Sequence, residues 1–168
     1  MLGIRVICVG RLKETFYTDA SNEYIKRLRS YCKLEIVELS EFRLNSGTQY
    51  PLGIKNTPAQ ISIALEKERE LIEKKIPAGA MTAAMCVEGR EMDSNGLSEF
   101  LRDCAGRGAS RLCFIIGGSF GLDETIKNAA DFKLSMSKMT FPHNLARVML
   151  LEQLYRAFNI AEGGKYHK

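Results

Sequence analysis

Three stretches of this sequence hold residues whose types and spacing could do chemistry. The first is Gly117-Gly118-Ser119-Phe120-Gly121, directly behind the apolar run 112–116. Glycines there either supply the positive φ of a tight strand-to-helix turn or let bare backbone approach a ligand closely. The spacing is G-G-x-x-G, which is neither the GxGxxG of dinucleotide-binding turns nor a Walker A loop, since no Gly-Lys-Ser/Thr follows. The second stretch is Ser-Met-Ser-Lys-Met-Thr-Phe-Pro-His at 135–143. Met136, Met139 and Phe141 could wall an apolar pocket while Ser137, Thr140 and free backbone amides supply polar contacts. The same residues could equally be a packed strand-to-helix connection, with His143 at an exposed helix start. The third is Glu152, Arg156 and Asn159, which recur at i, i+4 and i+7 and so share one helix face. A surface Glu152–Arg156 pair is worth about 0.3 kcal/mol, whereas Arg156 turned to a ligand could hold a phosphate or an anionic base. Behind a flexible Gly163-Gly164 comes the tail Tyr166-His167-Lys168.

Other chemistries have no residues to work with. No Ser–His–Asp set, inward carboxylate pair or metal-ligand spacing is present. Only two histidines, His143 and His167, occur, and the five cysteines (Cys8, Cys32, Cys86, Cys104, Cys113) form no CxxC. An odd count lying mostly in apolar runs reads as reduced core thiols, with neither disulfides nor a metal.

Charge points to a polyanionic partner. The first 33 residues hold seven Lys/Arg against three acids, while the remainder carries seventeen of each, so the whole net charge of +4 lies in that first segment. A solvated helix face would show the same excess, and so would a surface that binds phosphates through counterion release.

The elements that must position these residues follow from the apolar pattern. Residues 2–9, 34–39, 81–87 and 112–116 read as buried strands, with a brief fifth near Leu134. Between them lie helical stripes. Tyr17, Ala20, Tyr24, Leu28 and Tyr31 form one, with Lys26, Arg27 and Arg29 off it. Thr57-Pro58-Ala59-Gln60 is a capped helix start, ahead of a buried stripe of Ile61, Leu65, Leu71, Ile72 and Ile76 that Pro77 and Gly79 stop. Leu97, Phe100, Leu101 and Cys104 mark a third helix, a short fourth reaches about Ala130, and a long last one runs from about His143 to Ile160. The 40–56 segment has no period and reads as a long loop. Strands alternating with helices over 168 residues predict one α/β domain, with a mainly parallel five-stranded sheet and helices on both faces. Ligands bind such sheets beyond the carboxyl ends of their strands, which directs attention to the loops after Val87, Ile116 and Met136. Hydrophobic residues at 45% and charged residues at 26% are those of a soluble globular chain. The 2–9 run, interrupted by Arg5, is too short for a membrane span or signal core, and the expectation is a cytoplasmic protein without membrane association.

Several blocks, in order and across the whole length, resemble the RlmH-type methyltransferases, small members of the SPOUT class that N3-methylate a pseudouridine in bacterial 23S rRNA. They are Val9-Gly10-Arg11-Leu12-Lys13-Glu14, Glu23-Tyr24-Ile25-Lys26-Arg27-Leu28, Phe114-Ile115-Ile116-Gly117-Gly118-Ser119-Phe120-Gly121-Leu122, Ser137-Lys138-Met139-Thr140-Phe141-Pro142-His143, Glu152-Gln153-Leu154-Tyr155-Arg156-Ala157-Phe158 and Tyr166-His167-Lys168. The resemblance implies a C-terminal trefoil knot, a homodimer, action on assembled ribosomes, and S-adenosylmethionine held by the knot loops without a metal. Carried onto this chain, the cofactor-binding residues are Met85, Gly117, Gly118, Ser137, Lys138, Met139, Thr140, Phe141 and Pro142. Met85 stands where the family usually has Leu, an exchange of similar volume that the pocket should tolerate. Arg156 would stabilise the deprotonated base with Glu152 orienting it, and His167 or Tyr166 would assist deprotonation or place the base. Arg11, Lys13, His143 and Lys168 would contact the rRNA. The same basic face would also suit a non-catalytic ribosome-binding module, and the glycine turn a nucleotide-binding protein. The 40–56 loop matches nothing in the family's pattern.

Overall fold

The computed structural model describes residues 1–42, 56–164 and 166. Among the described residues strands and helices alternate: β1 (Gly3–Val9), α1 (Thr15–Leu28), β2 (Lys33–Leu39), α2 (Pro58–Glu73), β3 (Met81–Glu91), α3 (Ser94–Gly106), β4 (Arg111–Ile116), α4 (Glu124–Ala129), β5 (Phe132–Ser135) and α5 (His143–Ala161). The five strands form one sheet in the order β2-β1-β4-β3-β5, and every neighbouring pair is parallel. Most of the 40–56 loop lies outside the described residues.

Two apolar layers sandwich the sheet, which accounts for the apolar runs of β4 and, Arg5 apart, of β1. Ile4, Val6 and Cys8 of β1 point to one side, where they meet Leu28 of α1, Leu101 and Cys104 of α3, and Leu150, Leu151 and Leu154 of α5. Ile7 and Val9 point to the other, against Ile72 of α2 and Ile126 of α4. The helices α1, α3 and α5 thus cover one face and α2 and α4 the other. All five cysteines are free, and four are buried. Burial pushes the thiols of Cys8 and Cys32 up to about 11 and that of Cys113 to about 12, so they remain protonated.

The start of α2 follows its sequence signals. The Thr57 side chain accepts from the Gln60 N–H at 3.2 Å while the Gln60 side chain accepts from the Thr57 N–H at 2.9 Å. Its buried stripe differs from the one expected. Ala64, Glu68 and Ile72 face the core, and Leu71 is 38% exposed. A carboxylate can occupy that stripe because Glu68 Oε1 accepts the Phe42 N–H at 2.9 Å, which offsets part of its desolvation. No helix among the described residues is long and apolar enough to cross a membrane.

Candidate active site

A cavity of about 670 Å³ opens at the carboxyl ends of β3, β4 and β5, a size usual for small-molecule sites. Three walls enclose it: the β3 segment at 85–88, the glycine turn behind β4, and the connection from β5 into α5.

The glycine turn is shaped by backbone contact. The Gly121 N–H donates to the Gly118 carbonyl at 3.0 Å, closing a tight loop. A Cβ on Gly117 would collide with the Gly121 carbonyl group. It is the strand-to-helix turn expected, with Gly121 at φ +82, and its bare backbone lines the cavity. Glu41, beyond β2, braces it from behind, where its Oε1 accepts the Ser119 N–H at 2.8 Å.

The β3 wall is a bulge. Met85 pairs with Leu134 of β5, and the next pairing to that residue is Arg90, so residues 86–89 leave the ladder. Gly89 makes this possible, because a Cβ there would lie 2.6 Å from the Leu134 backbone. The excursion sets Cys86, Val87 and Glu88 on the cavity wall. Lys127 of α4, also on the wall, pairs with Glu88 and with Glu124, and that hydrogen bond holds the Glu88 carboxyl below its usual range. Glu88 is thus ionised at neutral pH on a wall shared with the apolar Met85, Ile116, Leu122, Leu134, Met136 and Phe141.

In the third wall the Ser135 hydroxyl donates to the Ser137 carbonyl at 2.9 Å, and Ser137 Oγ accepts the Met139 N–H at 3.0 Å. Helix α5 begins at His143 without a side-chain cap, beside the cavity. Of the expected cofactor-binding residues, Met85, Gly117, Gly118, Ser137, Met139, Thr140, Phe141 and Pro142 line the cavity, as does His143. Lys138 is exposed and does not. Arg11 and Lys13 are exposed on the loop leaving β1. Gly10 of that loop packs close to the His143 ring, with room of only 3.0 Å between an added Cβ and Nε2.

A second polar cluster lies farther along α5. Arg156 Nε donates to Glu152 Oε1 at 3.0 Å, and Arg156 Nη1 donates to the Tyr166 carbonyl at 3.3 Å. The guanidinium lies 4.6 Å from the centre of the Tyr166 ring, which also packs edge-on against Tyr155 at 4.8 Å. Asn159 Oδ1 accepts the Tyr166 N–H at 3.0 Å, and the Tyr166 hydroxyl donates to Glu152 at 3.4 Å. The Glu152 bond holds Arg156 still more firmly protonated than usual. Burial, then the neighbouring Tyr24 hydroxyl, push the Tyr166 phenol up to about 12. The structure therefore brings Glu152, Arg156 and Tyr166 together, as one helix face plus a returning tail. It does not bring them to the cavity. Arg156 lies ten residues beyond Ala146, the last cavity residue on α5, which is about 15 Å along the helix. His167 and Lys168 lie outside the described residues.

Residue-type reasoning missed Glu41, Glu88 and Lys127. For Glu88 the apolar pattern gave no signal, since it stops at Val87 and the strand continues through the polar Glu88-Gly89-Arg90-Glu91. For Glu41 and Lys127 there was none, because their partners are distant in sequence.

Comparison with known proteins fits this geometry. The family described as "Predicted SPOUT methyltransferase" matches residues 2–167. Ribosomal RNA large subunit methyltransferase H 1 of Clostridium perfringens (strain SM101 / Type A) is 45% identical over 169 residues, covering 99% of this chain and 100% of that protein. Ribosomal RNA large subunit methyltransferase H of Clostridium acetobutylicum is 43% identical over 172 residues with the same coverage. Among solved structures, a probable methylase family protein from Haemophilus influenzae Rd KW20 superposes with a TM-score of 0.53 at 14% identity, covering 100% of this chain and 72% of that one, a likeness of fold. With a full-length family match and relatives this similar, the chain belongs to the SPOUT methyltransferase family and is a methyltransferase.

Proposed function

We propose that this protein transfers a methyl group from S-adenosylmethionine to N3 of a pseudouridine in 23S rRNA, acting in the cytoplasm on assembled ribosomes as a homodimer. The observation that carries the reading is the cavity itself. Its apolar lining suits a neutral adenine, bare backbone of the glycine turn borders it, and the ionised Glu88–Lys127 pair suits polar substituents. The trefoil knot that the resemblance implies would be formed by the loops that border this cavity. S-adenosylmethionine, when bound, supplies an electrophilic methyl on a sulfonium that leaves as a neutral thioether.

The rest of the chemistry falls to the chain. The acceptor nitrogen carries a proton that must leave before its electron pair can attack the methyl carbon. A fixed cation beside the base stabilises the resulting anion, and Arg156 is such a cation, aimed by Glu152. Tyr166 keeps its own proton at neutral pH, which suits placing the base by hydrogen bond and ring contact. That leaves His167 or water to receive the acceptor's proton. Positioning of donor and acceptor in line supplies the remaining acceleration. The gap of about 15 Å along α5 supports the dimer, because a second copy can deliver its Arg156 and tail to this copy's cavity.

The deciding experiment incubates the protein and methyl-labelled S-adenosylmethionine with ribosomes from cells lacking this activity, beside free 23S rRNA. Label is expected in the 23S rRNA of intact ribosomes, and nuclease mapping then names the nucleotide. Cofactor binding without label would overturn the acceptor, and absence of both would overturn the whole reading.

A further inference from the structure

The first turn of α1 carries an aromatic ring that the fold does not use. Phe16 is 64% exposed. Its ring lies 4.4 Å from that of Tyr17, tilted by 53°, so a half-buried neighbour supports it from one side and leaves the other open. Arg11 and Lys13, a few residues before it, are exposed and pair with no carboxylate among the described residues. They belong to the segment that holds the chain's entire positive excess. The same loop touches the cavity wall through Gly10 and His143.

A single exposed phenylalanine on a neutral surface needs no explanation. One in the first turn of a helix, a few residues after two cations unpaired among the described residues on a loop that borders the candidate cavity, has a fitting partner. Single-stranded RNA is bound by cations on its phosphates and by aromatic rings on which unstacked bases lie. We infer that Phe16 is a stacking platform for an unpaired rRNA base flanking the acceptor nucleotide, with Arg11 and Lys13 holding the adjoining phosphates. This rests on the rRNA reading above and adds a specific contact to it.

The test compares Phe16→Ala, Phe16→Trp and the double variant Arg11→Ala, Lys13→Ala on ribosomes. Loss of one stacked base raises KM for ribosomes about 5- to 140-fold, with kcat and S-adenosylhomocysteine affinity unchanged, and Phe16→Trp restores it. Phe16→Ala leaves the slope of log KM against log salt as it was, because no charge is lost. The double variant flattens that slope by roughly the two phosphate contacts removed. Equilibrium binding to large ribosomal subunits without cofactor gives the same comparison whether or not methyl transfer occurs, so failure of the rRNA reading shows separately. An unchanged KM and binding in Phe16→Ala overturns the inference. So does a fall in its oligomeric mass by light scattering, which would assign the ring to a contact between copies.

Discussion

The cavity and the polar face of α5 are built by opposite means. The cavity is made by the backbone: a glycine turn with no room for a Cβ at Gly117, a bulge that Gly89 permits, and walls of methionine and phenylalanine. The α5 cluster is made by side chains, and within one chain their bonds are already satisfied. Arg156 is occupied by Glu152 and by the Tyr166 carbonyl. A surface of the first kind selects a ligand by shape and keeps it. One of the second kind must exchange partners when a ligand arrives, which suits a transient anion better than a resident cofactor. The two regions should therefore fail differently.

The largest effect is expected at Arg156. Arg156→Ala should lower turnover by about 10²- to 10³-fold, the usual cost of one donor aimed at developing charge, while S-adenosylhomocysteine binds as before. Arg156→Lys should recover little, because an ammonium cannot reproduce the planar fork that Glu152 orients. Normal methylation by the alanine variant would remove Arg156 from the mechanism. Gly117→Ala should fail in the other way, weakening S-adenosylhomocysteine at least about tenfold by overfilling the turn. Mixing the two variants sharpens the contrast. If the site joins one copy's cavity to the other's Arg156, random exchange restores about a quarter of the wild-type sites. If each site lies within one chain, the mixture shows no more activity than its two components.

What was legible in the sequence follows the same division. The parallel sheet and its two covered faces were readable because strands buried on both sides must be largely apolar, and residues 2–9, Arg5 apart, and 112–116 are such runs. The α5 cluster was readable because i, i+4, i+7 spacing is local. The β3 bulge was not, because its cause is the Leu134 backbone, far along the chain. The α2 stripe was misjudged for a similar reason. Leu71 outranks Glu68 in hydrophobicity, yet the Phe42 N–H gives Glu68 the buried place. The strand order needed partners that no periodicity names, and knotted threading lay beyond composition altogether, resting on resemblance alone.

A smaller effect separates Cys86 from the other thiols. It is the one cysteine on the cavity wall, half-buried, with its pKa raised by burial and then by Glu88. Iodoacetamide should therefore modify the native protein slowly and at Cys86, sparing Cys8, Cys32, Cys104 and Cys113 until denaturant is added. Saturating S-adenosylhomocysteine should slow that labelling several-fold, read by peptide mass spectrometry. Unprotected labelling at Cys86 would place the ligand elsewhere than in this cavity.

The smallest effect lies behind the glycine turn, where the cavity's backbone rests on carboxylates. Glu41 holds the Ser119 N–H, and Glu68 holds the Phe42 N–H next along the chain. Burial, reinforced by the charge of Glu41, raises the Glu68 carboxyl above its ordinary 4.5, and the Phe42 N–H only partly opposes this. A raised native pKa means the folded state holds that proton more tightly than the unfolded chain does. The resulting stability is present in full below the unfolded value and is lost as pH rises through the native one. At neutral pH the buried charge is thus a liability that Glu68→Gln removes while keeping an acceptor for Phe42. The glutamine variant should melt at or slightly above the wild type at pH 7, and the difference should close as pH falls towards 4.5. Glu68→Ala, which leaves the Phe42 N–H unpaired, should lose about 1–3 kcal/mol instead. A glutamine variant clearly less stable at pH 7 would mean that the charge itself braces this side of the cavity, and its affinity for S-adenosylhomocysteine would then fall with its melting point.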